Sequence, residues 1–219
     1  MNAVVVVAGG SGHRMGGAIP KQYLDLAGKP LILHTLERFF QFDSDMKVVL
    51  VMAKVHRKFW DVITMSYDQG TGIVVAPGGE TRHDSVKNGL QFIEDGMVVG
   101  IHDAVRPLVS LETIGRCYNA AAGSGSGIPV VDMEDSVRMV EAQGGSVNLE
   151  RTKIKRVQTP QVFRSEQIKQ AYSRTIDPLF TDDASVYEAL FGDVTLVEGN
   201  PENIKITTPA DLKLASLIL

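Results

Sequence analysis

Short aliphatic runs at residues 4–7, 48–52, 73–75, 97–102 and 128–131 alternate with stretches of helical periodicity, and nothing else in the sequence constrains the fold as strongly. The helical stretches carry their apolar residues at helix spacing. Leu31, Leu33, Leu36 and Phe40 follow Pro30. Phe59, Trp60 and Ile63 mark a second stretch, Val86, Leu90 and Ile93 a third, and Leu111, Ile114, Cys117 and Ala121 a fourth. Strand alternating with helix predicts βαβ units: an α/β fold with a mainly parallel sheet and helices on both faces. At 219 residues a single domain spanning 1–219 is expected.

The alternation breaks over residues 132–158. Segments 136–141 and 147–157 read as extended and polar, and Gln143-Gly144-Gly145-Ser146 between them reads as a hairpin turn. Val137, Met139, Val147 and Leu149 are too few to build a core, and a lone two-stranded ribbon is marginal in water. Two outcomes fit: an arm that docks on a second subunit, or a surface hairpin folded back on its own sheet. Beyond it, helices are expected over Ser165–Arg174 and 181–191, with Thr181 as N-terminal cap of the second. Short strands are expected at 195–197 and 204–206, and a last helix from Pro209.

Composition removes several function classes. Twenty-two basic against 26 acidic residues leave a net charge of −4, a poor match to nucleic acid. No apolar run reaches membrane-spanning length, and MNAVVVVAGG has no basic n-region of a signal peptide. Cys117, the one cysteine, can form neither an internal disulfide nor a zinc cluster, which suits a reducing cytoplasm.

Directly after the first strand stands Ala8-Gly9-Gly10-Ser11-Gly12-His13-Arg14-Met15-Gly16-Gly17. Its glycines allow backbone amides to turn inward on an anion, at the strand end where α/β folds place ligands. The stretch lacks the third glycine of a dinucleotide fingerprint and the Gly-Lys-Ser/Thr of a P-loop. Alone it could be a plain tight connection. Arg14 and Lys21 nearby give the charge that a triphosphate needs offset.

GGSGHRMGGAIPKQYL at 9–24 resembles the N-terminal signature of the sugar-alcohol-phosphate cytidylyltransferases. In order follow GGETRHDSVKNGL at 78–90, HDAVRP at 102–107, TPQVF at 159–163, TDDAS at 181–185 and NIKITTPADL at 203–212, so the resemblance covers the whole chain. It implies a Rossmann-like nucleotidyltransferase fold of the glycosyltransferase-A type. It also implies cytidylyl transfer from CTP to a polyol phosphate, with methylerythritol phosphate of the non-mevalonate isoprenoid pathway favoured as acceptor. Gly9-Gly10 and Thr81-Arg82 resemble the sister enzymes that make CDP-ribitol, which keeps ribitol phosphate as the alternative.

The resemblance also implies site roles. Arg14, Lys21 and Lys205 fall on the phosphates as catalytic cations, a set that a non-catalytic nucleotide-binding module would not need. Ala8, Gly9, Gly10, Gly12, Gly79, Glu80 and Ser85 fall on CTP. For Ser85 a helix-capping role competes, while Gly79 offers close approach to the base. Asp103, Arg106, Arg151, Thr159 and Thr181 fall on the acceptor, although Asp103 and Arg106 could equally form a loop ion pair. His102 reads as a packed histidine rather than a base, and Arg82 is left unassigned. Mg²⁺ is expected to ride chiefly on the CTP phosphates, with no protein ligand nominated. The family's two-fold dimers exchange arms, which implies a homodimer in which Arg151 reaches the partner's pocket.

Overall fold

A computed structural model describes residues 1–9, 19–67, 72–174 and 180–219. The chain begins with β1 (Asn2–Val7), then a small antiparallel pair, β2 (Asp25–Leu26) and β3 (Lys29–Pro30), and α1 (Leu31–Phe42). There follow β4 (Lys47–Met52), α2 (Arg57–Tyr67), β5 (Ile73–Pro77), α3 (Arg82–Leu90), β6 (Val98–Asp103), α4 (Leu111–Ser124) and β7 (Ser126–Asp132). A hairpin of β8 (Val137–Val140) and β9 (Ser146–Leu149) precedes β10 (Lys155–Val157), β11 (Gln161–Arg164), α5 (Ser165–Arg174), α6 (Asp183–Phe191), β12 (Leu196–Glu198) and α7 (Pro209–Ile218).

The main sheet runs β10-β7-β11-β6-β1-β4-β5, with β12 also paired to β7. The pairs β6–β1, β1–β4, β4–β5 and β12–β7 are parallel, whereas β11 runs antiparallel to β6 and β7, and β10 antiparallel to β7. Both faces are covered, as the aliphatic runs require. Val4, Val6, Val48, Leu50 and Met52 face a core shared with Leu36, Phe39, Trp60, Ile114 and Tyr118. Their neighbours Ala3, Val5, Val49 and Val51 face the opposite core, with Val86, Leu90, Ile168 and Tyr172. The period of two is the pleat itself. On the second face α3 sits close to the sheet at Gly89, where an added Cβ would lie 2.5 Å from Val5 Cγ1.

Three expectations need correction. The extended segment 147–157 is interrupted: β9 ends at Leu149, a 3₁₀ turn occupies Arg151–Lys153, and β10 rejoins the main sheet against Val130–Asp132 of β7. The ribbon proper is therefore Val137–Leu149, whose two strands pair only with each other. Residues 204–206 form no strand. The segment is held instead by Ile206 N–H to Val105 O at 2.9 Å and by Ile206, buried among Leu26, Leu31 and Leu108. Finally, Asp182 rather than Thr181 caps α6, its carboxylate accepting from Ser185 N–H at 3.0 Å.

Candidate active site

The C-terminal ends of β1 and β6 and the turn that follows β5 open onto one hollow. Past its strand end, β1 is still tied to both neighbours: Ala8 N–H donates to Val51 O at 2.7 Å and Ala104 N–H donates to Val7 O at 3.1 Å. The chain leaves β4 and β6 on opposite sides of β1, making the crevice in which open α/β sheets take ligands. A cavity of about 470 Å³ lies there, lined by Ala8, Gly9, Lys21, Gly79, Arg82 and Asp103 among others. A second, of about 270 Å³, is lined by Arg106, Thr159, Thr181 and Asp182. Arg82, Asp103 and Lys205 line both, so the two hollows meet at those side chains.

Asp103, the last residue of β6, is 7% exposed and surrounded by cations. Lys205 Nζ is 3.0 Å and Arg106 Nε 3.2 Å from its Oδ2, and Arg82 Nε is 3.9 Å from Oδ1. Burial alone would raise the carboxyl's pKa, but Lys205, Arg82 and Arg106 outweigh it and hold Asp103 ionised well below the usual carboxylate range. Each cation is itself placed by the chain. Lys205 lies between Ile204 and Ile206, which pack into the small core beside β2 and α7. Arg106 also donates through Nη1 to Asn203 O at 2.7 Å. Lys21, from a 3₁₀ turn, donates to Ile206 O at 3.2 Å, adjoining Lys205 in the chain.

His102 lies behind Asp103, fully buried. Its Nδ1 is 3.1 Å from Thr159 Oγ1 and its Nε2 is 3.2 Å from Arg106 O. A carbonyl can only accept, which assigns the ring proton to Nε2 and makes the Thr159 hydroxyl the donor to Nδ1. The same Oγ1 accepts from Asp103 N–H at 3.2 Å. Burial presses the imidazole pKa down to about 4 against the opposing charge of Asp103, so the ring is neutral at pH 7. His102 is packed, as its sequence position suggests. Thr159 lines the smaller cavity with its hydroxyl already engaged.

On the nucleotide side, Ser85 does bind its own helix. Its hydroxyl donates to Thr81 O at 2.9 Å and accepts from Gly79 N–H at 3.0 Å, closing the turn in front of α3. Gly79 is required by that turn: a Cβ there would stand 2.2 Å from Asp84 Cβ. Thr81 and Asp84 form a capping box at the same helix start. Gln22, buried, ties the Ala8 carbonyl at 2.8 Å, bracing the start of the glycine stretch.

Ala8, Gly9, Lys21, Gly79, Glu80, Ser85, Asp103 and Lys205 thus come together around the larger cavity, and Arg106, Thr159 and Thr181 around the smaller. Gly10, Gly12 and Arg14 lie outside the described residues. Arg151 is not brought to either hollow. It donates to Glu134 O at 2.5 Å and lines a separate recess with Asp132 and Lys155. Sequence reasoning passed over Arg82 and Asp183, which form a bidentate pair with the carboxylate buried and the guanidinium half-buried. The available signals were Arg82 beside a capping threonine and the two adjacent acids of TDDAS.

The chain matches the family model described as 2-C-methyl-D-erythritol 4-phosphate cytidylyltransferase (IspD) over residues 2–219. The 2-C-methyl-D-erythritol 4-phosphate cytidylyltransferase of Bacteroides thetaiotaomicron is 48% identical over 217 residues, covering 99% of both chains. That of Porphyromonas gingivalis is 47% identical over 216 residues, covering 98% of this chain and 96% of its own. Among solved structures, the Francisella tularensis enzyme of the same name superposes with a TM-score of 0.81 at 33% identity over 100% of both chains. The 4-diphosphocytidyl-2C-methyl-D-erythritol synthase of Anaerococcus prevotii gives 0.85 at 26% identity, over 99% of this chain and 94% of that one.

Proposed function

The chain belongs to the 2-C-methyl-D-erythritol 4-phosphate cytidylyltransferase family, and from that premise we propose how its pocket carries the reaction. The protein is a nucleotidyltransferase that moves the cytidylyl group of CTP to 2-C-methyl-D-erythritol 4-phosphate, giving 4-diphosphocytidyl-2-C-methyl-D-erythritol and pyrophosphate. The relatives' shared name favours this acceptor over ribitol phosphate.

The observation that carries the mechanism is the meeting of two hollows at Asp103, Lys205 and Arg82. CTP occupies the larger, its base against Gly79, Glu80 and Ser85 and its phosphates along Ala8, Gly9, Gly10 and Gly12. The acceptor occupies the smaller, its hydroxyls on Asp103 and Thr181 and its phosphate near Arg106 and Lys205. An acceptor phosphate oxygen attacks the α-phosphorus in line, and the bond to the bridging oxygen breaks with its electron pair leaving on pyrophosphate. An ionised phosphate needs no general base, in keeping with a His102 ring buried and neutral. Lys21, Arg14 and Lys205 stabilise the charge that builds on the phosphoryl oxygens.

Mg²⁺ suits this site through the nucleotide. Among the described residues no three ligating side chains converge, and the one deeply placed carboxylate of the junction, Asp103, is already engaged by cations. The phosphates of CTP would hold the ion with its waters, and it would supply further neutralisation of the triphosphate. We further propose a homodimer built through the ribbon, working in the cytoplasm. The exposure of Met139, Val140 and Val147 supports the first, and the single buried thiol, Cys117, supports the second. Among the described residues no helix is long and apolar enough to cross a membrane.

Pyrophosphate release measured with methylerythritol phosphate and each of CTP, UTP, ATP and GTP tests the donor assignment. CTP is expected to be strongly preferred, and comparable rates with a purine triphosphate would remove the base site from the 79–85 turn.

A further inference from the structure

Arg82 stands between two carboxylates and commits to one. Its two terminal nitrogens donate to Asp183 at 2.9 and 2.6 Å, while its Nε stops 3.9 Å from Asp103 Oδ1, beyond hydrogen-bond reach. Asp183 is fully buried at the start of α6, and its Oδ1 also accepts the Tyr172 hydroxyl at 2.6 Å. Paired fork to fork and desolvated, Asp183 is the stronger partner. Asp103 meets its own cations, Lys205 and Arg106, through Oδ2.

We propose that Asp183 is a positioning residue: by holding Arg82 in a bidentate fork it keeps that guanidinium off Asp103, so that Oδ1 stays available to the hydroxyls of the acceptor. The inference rests on the reading of Asp103 as an acceptor contact. Its physical content is competition. With the charge of Asp183 removed, the nearest anion to Arg82 is Asp103, and a shift of about 1 Å brings the guanidinium into hydrogen-bond range of Oδ1. The acceptor would then have to displace a cation from the carboxylate it uses.

The test compares wild type, Asp183→Asn and the double variant Arg82→Met with Asp183→Leu, titrating CTP and methylerythritol phosphate separately. Asp183→Asn is expected to raise the acceptor KM at least about tenfold, with kcat and the KM for CTP within about threefold. A variant that had merely lost part of its folded population would lower kcat and leave KM alone. The double variant removes the competitor with its anchor, and buried ion pairs often tolerate apolar replacement. It is expected to lower the acceptor KM at least about threefold from that of Asp183→Asn. An unchanged acceptor KM in Asp183→Asn overturns the inference, as does a double variant with an acceptor KM as high as that of Asp183→Asn. Should Asp183→Asn fail to fold, Asp183→Ser takes its place, with the same expected and overturning results. A wild-type protein that transfers nothing to methylerythritol phosphate sinks the functional reading and this inference with it, whereas an active wild type with indifferent variants sinks the inference only.

Discussion

At the scale of single residues, the pocket depends on cations whose positions are fixed by other parts of the chain. Lys21 is expected to serve the triphosphate, and Lys21→Ala should lower kcat/KM by roughly 10²–10³, the usual cost of one oriented charge at a phosphoryl centre. The side chain also reaches Ile206 O, so its loss should cost about 1 kcal/mol of stability, measurable as a small drop in denaturant midpoint. Near-wild-type kinetics would contradict the role. That Lys21, Lys205, Asp103 and Arg106 gather at the hollows was legible because each sits in a short motif beside strand-forming or glycine residues. Arg82 and Asp183 were not, because their meaning lies in a contact spanning 101 positions of sequence. Neither local spacing nor residue type says which of two nearby acids an arginine will choose.

Among the elements, the aliphatic runs marked all five of their strands, because strands covered on both faces are written as continuous apolar stretches. The segment at 204–206 alternates like a strand yet pairs with none. Its apolar residues are consumed by the small core beside β2 and α7. The break at Arg151–Lys153 was equally hidden, since nothing in Val147 to Val157 announces a turn. The ribbon it isolates, β8 and β9, exposes the cross-strand pair Met139 and Val147 to 52% and 39% and, on its other face, Val140 to 78%. Arg151 sits at its foot, in a recess apart from the hollows around Asp103. If the ribbon docks across a two-fold axis, Arg151→Ala and Lys21→Ala chains, each inactive alone, should complement after dissociation and reassociation. Random pairing gives about a quarter of wild-type activity, from the mixed dimers' one intact site each. Sedimentation must confirm that mixed dimers formed, and no recovery in confirmed mixed dimers would contradict sharing.

For the molecule as a whole, the hydrogen-bonded assembly behind Asp103 ties stability to pH. His102 titrates at about 4 in the folded chain against 6.5 for an unperturbed histidine, so between those values the unfolded chain binds a proton that the folded chain refuses. Stability is therefore fully present above about pH 6.5 and falls as pH drops toward 4, by roughly 3 kcal/mol from this ring. Burial also lowers His34 and His56, which act with the same sign. Urea midpoints across pH 4–7 should show the decline, and His102→Gln should flatten it; a profile unchanged by that substitution would contradict the buried neutral ring. Supplying the protein with CTP, Mg²⁺ and either methylerythritol 4-phosphate or ribitol 5-phosphate, and following pyrophosphate and product mass together, tests whether this pocket joins CTP to methylerythritol phosphate. Stoichiometric pyrophosphate and 4-diphosphocytidyl-2-C-methyl-D-erythritol are expected with the first acceptor, and far slower turnover with the second. Silence with methylerythritol 4-phosphate, or faster transfer to ribitol 5-phosphate, would contradict that assignment.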